Sequence, residues 1–119
     1  VLSAREDKPL RKLRRRYVAL KVHGRDSCSR ETLREGLESE FIDLFGLWAF
    51  SQAGIRVLEF DENGREAVVA CWHRWLPMVR VSATMMTELA GGPVVVQVRG
   101  VSGTMRRLRR KFLSALGPS

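Results

Sequence analysis

Residues 55–72, IRVLEFDENGREAVVACW, decide the fold. Two runs rich in β-favouring residues, IRVLEFD and REAVVACW, flank Asn63-Gly64. That pair is favoured where both central residues of a tight hairpin turn take positive φ. The reading is a β-hairpin in the middle of the chain, and the elements on either side determine what it joins.

Upstream, YVALKVH (17–23) alternates, with Val18, Leu20 and Val22 on one side and Tyr17, Lys21 and His23 on the other, the pattern of a half-buried strand. GRDSCS is a loop in which Ser29 caps a helix, with Glu31 well placed in the first turn. Leu33, Leu37, Phe41, Leu44 and Trp48 recur at steps of three or four, giving that helix one apolar face, and Gly46 ends its regular part. Downstream, Pro77 opens a second helix over 78–90, which Gly91-Gly92-Pro93 stops. PVVVQVR is then a fourth strand, with Val94, Val96 and Val98 on one face.

The order β-α-β-β-α-β followed by an extra helix predicts an α+β, ferredoxin-like sandwich with a four-stranded antiparallel sheet. The expected organisation is a basic arm over 1–16 and one domain over 17–116, with its C-terminal helix from about residue 104. Right-handed crossovers set the first and fourth strands side by side and antiparallel. The start of one then lies beside the end of the other.

That adjacency matters because of the charge. The chain carries a formal +8, and the excess lies at its two ends. REDKPLRKLRRR (5–16) holds seven basic and two acidic residues, and 106–111 hold five basic and none acidic. Tyr17 to Met105 hold nine basic and eleven acidic. Topology thus gathers both clusters at one edge of a nearly neutral domain. Seventeen of the 21 basic residues are Arg, which grips phosphate with two donors at once where Lys offers a point charge. A polyanion is the expected partner, nucleic acid before membrane.

The segment GVSGTMRRLRRKFL (100–113) sharpens this. Gly100 to Thr104 reads as a glycine-rich turn that exposes backbone N–H groups, with Ser102 or Thr104 capping a helix whose N-terminus attracts phosphate. Met105, Leu108, Phe112 and Leu116 form the helix's apolar stripe, and Arg106, Arg107, Arg109, Arg110 and Lys111 cover the rest, before Gly117-Pro118 closes it.

Other chemistries find little support. Cys28 and Cys71 make no disulfide framework, and with His23 and His73 they match no familiar zinc spacing, so no metal is expected on this chain. No run is long or apolar enough to cross a bilayer, and a reduced, intracellular, cytoplasmic setting is expected. AVVACWHR lacks the aromatic pattern with which many domains of this topology stack RNA bases on the sheet, leaving Tyr17 and Trp72 as packing residues. No nucleophile sits at defined spacing from a base, and HGRDSCSR lacks the glycine-rich phosphate loop of acylphosphatases, so no catalytic residue is expected.

RRRYVALKV, LFGLWAFSQAGIRVLEFD and above all VRVSATMMTELAGGPVVVQVRGVSGTMRRLRRKFL resemble ribonuclease P protein component 2 in its short archaeal form, from about residue 14 to residue 113. The resemblance implies a protein subunit of the RNA-based endoribonuclease that removes the 5′ leader of precursor tRNA. It implies that the RNA performs the metal-assisted hydrolysis, so Mg²⁺ belongs to the RNA and the chain binds no cofactor. It implies two direct partners, the catalytic domain of the ribonuclease P RNA and protein component 3, a TIM-barrel protein, and contact with precursor tRNA only through the assembly.

On that reading Arg11, Lys12, Arg14, Arg15 and Arg16 join Arg106, Arg107, Arg109, Arg110 and Lys111 in contacting phosphate, and Gly100, Ser102, Gly103 and Thr104 seat one phosphate. Val79, Val81, Met85 and Met86 are spare apolar residues on the second helix, expected to meet component 3 or a second copy of this chain. The competing readings are a stand-alone RNA- or ribosome-binding module and a small hydrolase using the arginine turn.

Overall fold

The fold comes from a computed structural model that describes residues 14–24, 28–89, 91–114 and 116. The expected residues Arg11 and Lys12, and Gly117-Pro118, lie outside these. Strand β1 spans Arg15–Gly24, helix α1 Arg30–Phe45, helix α2 Leu47–Ala53, strand β2 Arg56–Asp61 and strand β3 Glu66–Trp72. A single 3₁₀ turn, His73–Trp75, leads to helix α3 (Leu76–Met85), strand β4 (Glu88–Leu89), strand β5 (Gly92–Ser102) and helix α4 (Met105–Phe112).

The fold is α+β, with a five-stranded sheet in the order β2-β3-β1-β5-β4 and every neighbouring pair antiparallel. The expected four strands are therefore corrected to five, and the second helix is shorter than 78–90. It stops at Met85 because Met86 turns extended and buries its side chain in the core. The chain then forms β4 and doubles back at Gly91, whose φ of 81° suits glycine. Leu89 at this edge packs so closely on α1 that a Cβ at Gly36 would lie 2.3 Å from its methyl.

Two further local expectations change. Neither Asn63 nor Gly64 takes positive φ. Instead the Asp61 carboxylate accepts from Gly64 N (2.5 Å), Asp61 O accepts from Arg65 N (2.6 Å), and Arg65 takes the left-handed conformation at φ 57°. A side-chain-capped loop has displaced the two-residue turn. Upstream, Ser29 caps α1 as read, its hydroxyl accepting from Thr32 N at 3.1 Å. Gly46 (φ 96°) then breaks the helix and α2 starts in a new direction. Leu33, Leu37 and Phe41 are buried, whereas Leu44 and Trp48 are 41% and 71% exposed, so the apolar stripe ends at Phe41.

The sheet buries both faces. On one, Val18, Leu20 and Val22 pack with Val69, Cys71 and Val96 against Leu33, Leu37 and Phe41 of α1 and Val79 and Ala83 of α3. On the other, Ala19 and Val68 pack against Leu108 and Leu113, flanked by Tyr17, Leu58, Met105, Phe112 and Leu116. A bulge makes this second face possible. Ala19 pairs with Gly100 but Leu20 with Val98, so Arg99 is the extra residue and Gly100 falls beneath α4. A Cβ at Gly100 would lie 2.4 Å from the Phe112 ring.

Candidate nucleic-acid interface

Helix α4 crowds Arg106, Arg107, Arg109, Arg110 and Lys111 onto eight residues. Like charges one turn apart each cost a few tenths of a kcal/mol. Fully burying Leu108 contributes about 2 kcal/mol, and Met105, Phe112 and Leu113 add to it. Packing outweighs repulsion, so the helix stands without an anion. Its N-terminus is closed from within: Thr104 Oγ1 accepts from Arg107 N and Ser102 Oγ accepts from Thr104 N, both at 3.2 Å.

Two acids of the β2–β3 hairpin fasten the helix and the residues after it. Glu59 pairs with Arg109, whose other terminal nitrogen donates to Leu116 O at 3.3 Å. Glu66 is wholly buried, and its carboxylate accepts from Ser114 N (2.9 and 3.0 Å), Ser114 Oγ (2.9 Å) and Leu116 N (3.0 Å). A buried carboxylate persists only when such donors surround it.

The helix therefore divides its cations. Arg109 is spent on Glu59, whereas Arg106, Arg107, Arg110 and Lys111 are exposed and form no salt bridge among the described residues. Arg107 and Lys111, one turn apart, line a groove of about 270 Å³ with Arg16, Ser102 and Gly103, over Val101 and Phe112. Arg16 arrives there because Tyr17 pairs with Ser102, which sets the root of β1 beside the end of β5. A Cβ on Gly103 would sit 3.5 Å from the Arg16 guanidinium. The root of β1 and the start of α4 thus meet at one end of the two central strands.

The groove differs from the expected glycine turn. Gly100 and Ser102 belong to β5 rather than to a turn, and neither Gly100 nor Gly103 has positive φ. Gly100 is needed for Phe112 to reach the sheet. The cationic side chains that line the groove are Arg16, Arg107 and Lys111.

Of the other expected residues, Arg14 is exposed and Arg15 lies over the Trp72 ring, 4.6 Å from its centroid. Val79 and Met86 are core residues at 1% and 3% exposure, which removes them from the expected partner surface, whereas Val81 and Met85 stay exposed. Leu44, Phe45, Leu47 and Trp48 add to the exposed apolar set, and Trp48 meets Trp75 edge-on at 6.2 Å. The Cys71 thiol is pushed up to about 11 by burial, against the opposing pull of Arg15 and Arg16. Among the described residues no three His, Cys, Asp or Glu side chains converge as metal ligands, and no helix is long and apolar enough to cross a membrane.

Comparison with known proteins gives this edge its context. The sequence model of the Rpp14/Pop5 family matches residues 16–113, from the arginine at the groove to the end of α4. The chain belongs to the Rpp14/Pop5 family. It is 33% identical to ribonuclease P protein component 2 of Archaeoglobus fulgidus over 88% of this chain and 94% of that one. It is 29% identical to the protein of the same name from Pyrococcus furiosus, over 87% of each, and 32% identical to that of Methanosarcina mazei, over 92% of each. A chain in the cryo-EM structure of yeast ribonuclease MRP shares the fold, with a TM-score of 0.64 and 18% identity over 78% of this chain and 76% of that one.

In this Rpp14/Pop5 chain, sequence reasoning missed Glu59 and Glu66. A second bulge explains the first: Val57 pairs with Val69 but Glu59 with Val68, so strand alternation alone puts Glu59 on the wrong face. The available signal for Glu66 was a lone acid opening an otherwise apolar strand, EAVVACW.

Proposed function

We propose that this chain is a non-catalytic protein subunit of ribonuclease P. In this role it binds the RNA that removes the 5′ leader of precursor tRNA, and stabilises its catalytic domain together with protein component 3. The observation that carries the reading is the groove where Arg16 meets Arg107 and Lys111 on a helix already held in place by its own packing. Such a surface binds phosphates without first ordering itself, and it positions RNA rather than reading its sequence. Arg14, Arg106 and Arg110 extend the surface on either side, and precursor tRNA is met only through the assembly. Mg²⁺ acts at the RNA in this reading. The setting is cytoplasmic.

The strand order β2-β3-β1-β5 supports describing the domain as a ferredoxin-like sandwich enlarged by β4 and α4. The helical layer offers the protein-facing side. Val81 and Met85 on α3, with Leu47 and Trp48, leave apolar surface beyond what the core consumes, suited to component 3 or a second copy of this chain.

The test is cleavage of precursor tRNA by ribonuclease P RNA plus component 3 at moderate Mg²⁺, with and without this chain. Cleavage that rises with the chain, and is absent with the chain alone, is the expected result. In the same assay Met85→Arg lowers the stimulation by weakening assembly. No stimulation by a chain that still binds RNA would replace this reading with a stand-alone RNA-binding module.

A further inference from the structure

The root of β1 carries a second arrangement, separate from the groove. Arg15 lies directly opposite Trp72 in the β1–β3 register, and its guanidinium rests 4.6 Å from the ring centroid. The ring is wedged in turn, since a Cβ at Gly54 would lie 2.5 Å from its Nε1. Arg15 therefore places its guanidinium over a fixed support. No acid pairs with it, and its Nη1 is buried with no hydrogen-bond partner among the described residues. A buried guanidinium donor without an acceptor is unfavourable, and covering a tryptophan requires no guanidinium.

The surroundings are uniformly basic. His73 N donates to Arg14 O at 2.5 Å, holding the first residues of β1 against the turn that carries Arg74. Arg14, Arg56, His73 and Arg74 are all exposed, and residues 14–16, 54–56 and 72–75 contain no acid. Arg15 is not among the residues that line the groove, so it serves a different surface from Arg16.

We propose that Arg15, held over Trp72, is a stacking platform for one unpaired RNA base, with Arg14 and Arg74 taking the flanking phosphates. Guanidinium planes stack on the splayed bases of single-stranded RNA. The platform is the arginine. It covers the ring face, which fits the absence of the aromatic pattern that stacks bases directly on a sheet. The groove at α4 tracks backbone phosphate, whereas this corner selects a nucleotide out of the stack. The inference rests on the RNA-binding reading above.

The experiment measures binding of the full chain to two probes, an unstructured RNA decamer and an RNA duplex of about sixteen base pairs. Arg15→Lys keeps the charge and removes the guanidinium plane. It is expected to weaken decamer binding about ten-fold while leaving duplex binding within about two-fold. Arg107→Glu weakens both. Wild-type affinity of Arg15→Lys for the decamer, or an equal loss on both probes, overturns the platform and leaves the groove standing. A wild-type chain that binds neither probe overturns both. Should Arg15→Lys fail to fold, a bromouridine decamer irradiated on the wild-type chain decides. Attachment to residues 14–15 or 72–74 supports the site, and attachment confined to residue 16 and residues 101–112 overturns it.

Discussion

Replacing Arg107 and Lys111 by alanine gives the sharpest test of the groove, because salt dependence counts phosphates. Each phosphate neutralised contributes about 0.8 to the slope of log affinity against log salt, so removing two contacts lowers the slope by about 1.6. At 0.15 M salt that corresponds to roughly a twenty-fold loss of RNA affinity, closing as salt approaches 1 M. The control is Arg109→Ala, which also removes one positive charge from the same helix. Arg109 is committed to Glu59 and to Leu116 O, so its loss should leave the slope nearly unchanged and lower the melting temperature instead. Affinity measured across a salt series for the three proteins separates these cases. A slope that falls as much for Arg109→Ala as for each groove residue would refute the division of cations described here, since net charge alone would then set binding.

Two further outcomes follow from buried groups. Glu66→Ala strips the acceptor from Ser114 N and Leu116 N, and each unsatisfied amide costs about 1–3 kcal/mol unless the C-terminal segment lifts into water. The expected result is a melting temperature about 10 °C lower with faster amide exchange at Ser114 and Leu116; an unchanged melt would remove the anchor. For Cys71, burial holds the folded thiol near 11 against 9.0 as its ordinary value. The unfolded chain therefore loses that proton first as pH rises, so Cys71 lowers stability progressively from about pH 9 to 11 and has no effect below. Denaturant unfolding of the wild-type chain and Cys71→Ala across that range should show a shallower decline in the variant; parallel curves would contradict the burial.

The elements that were legible in the sequence were those whose partners lie nearby or repeat regularly. Val18, Leu20 and Val22 announce β1 by alternation, and Met105, Leu108 and Phe112 announce the buried side of α4 by helical spacing. The meeting of Arg16 with α4 followed from topology alone. What stayed hidden depended on single backbone events. The bulge at Arg99 moves Gly100 out of a turn and under Phe112, and the bulge after Val57 brings Glu59 to Arg109. Asp61 preempts the Asn-Gly turn by capturing the Gly64 amide. Met86 leaves its helix to fill the core, so an apolar residue that looked spare was not. The candidate site was therefore legible as a charge distribution, but not in which cations are free.

The buried Glu66 has a consequence for how the protein is made. One of its donors, Ser114, lies 48 residues further along the chain, roughly 2–10 s later at ordinary rates of translation. During that interval Ala19, Val68 and Leu58 form a bare apolar strip on the sheet, the kind of surface on which nascent chains adhere to one another. Glu66, two residues from Val68 on the same strand, sets a carboxylate beside that strip, the placement of a residue that opposes such adhesion. The same side chain thus lies beside the strip while it is uncovered and fastens its cover afterwards.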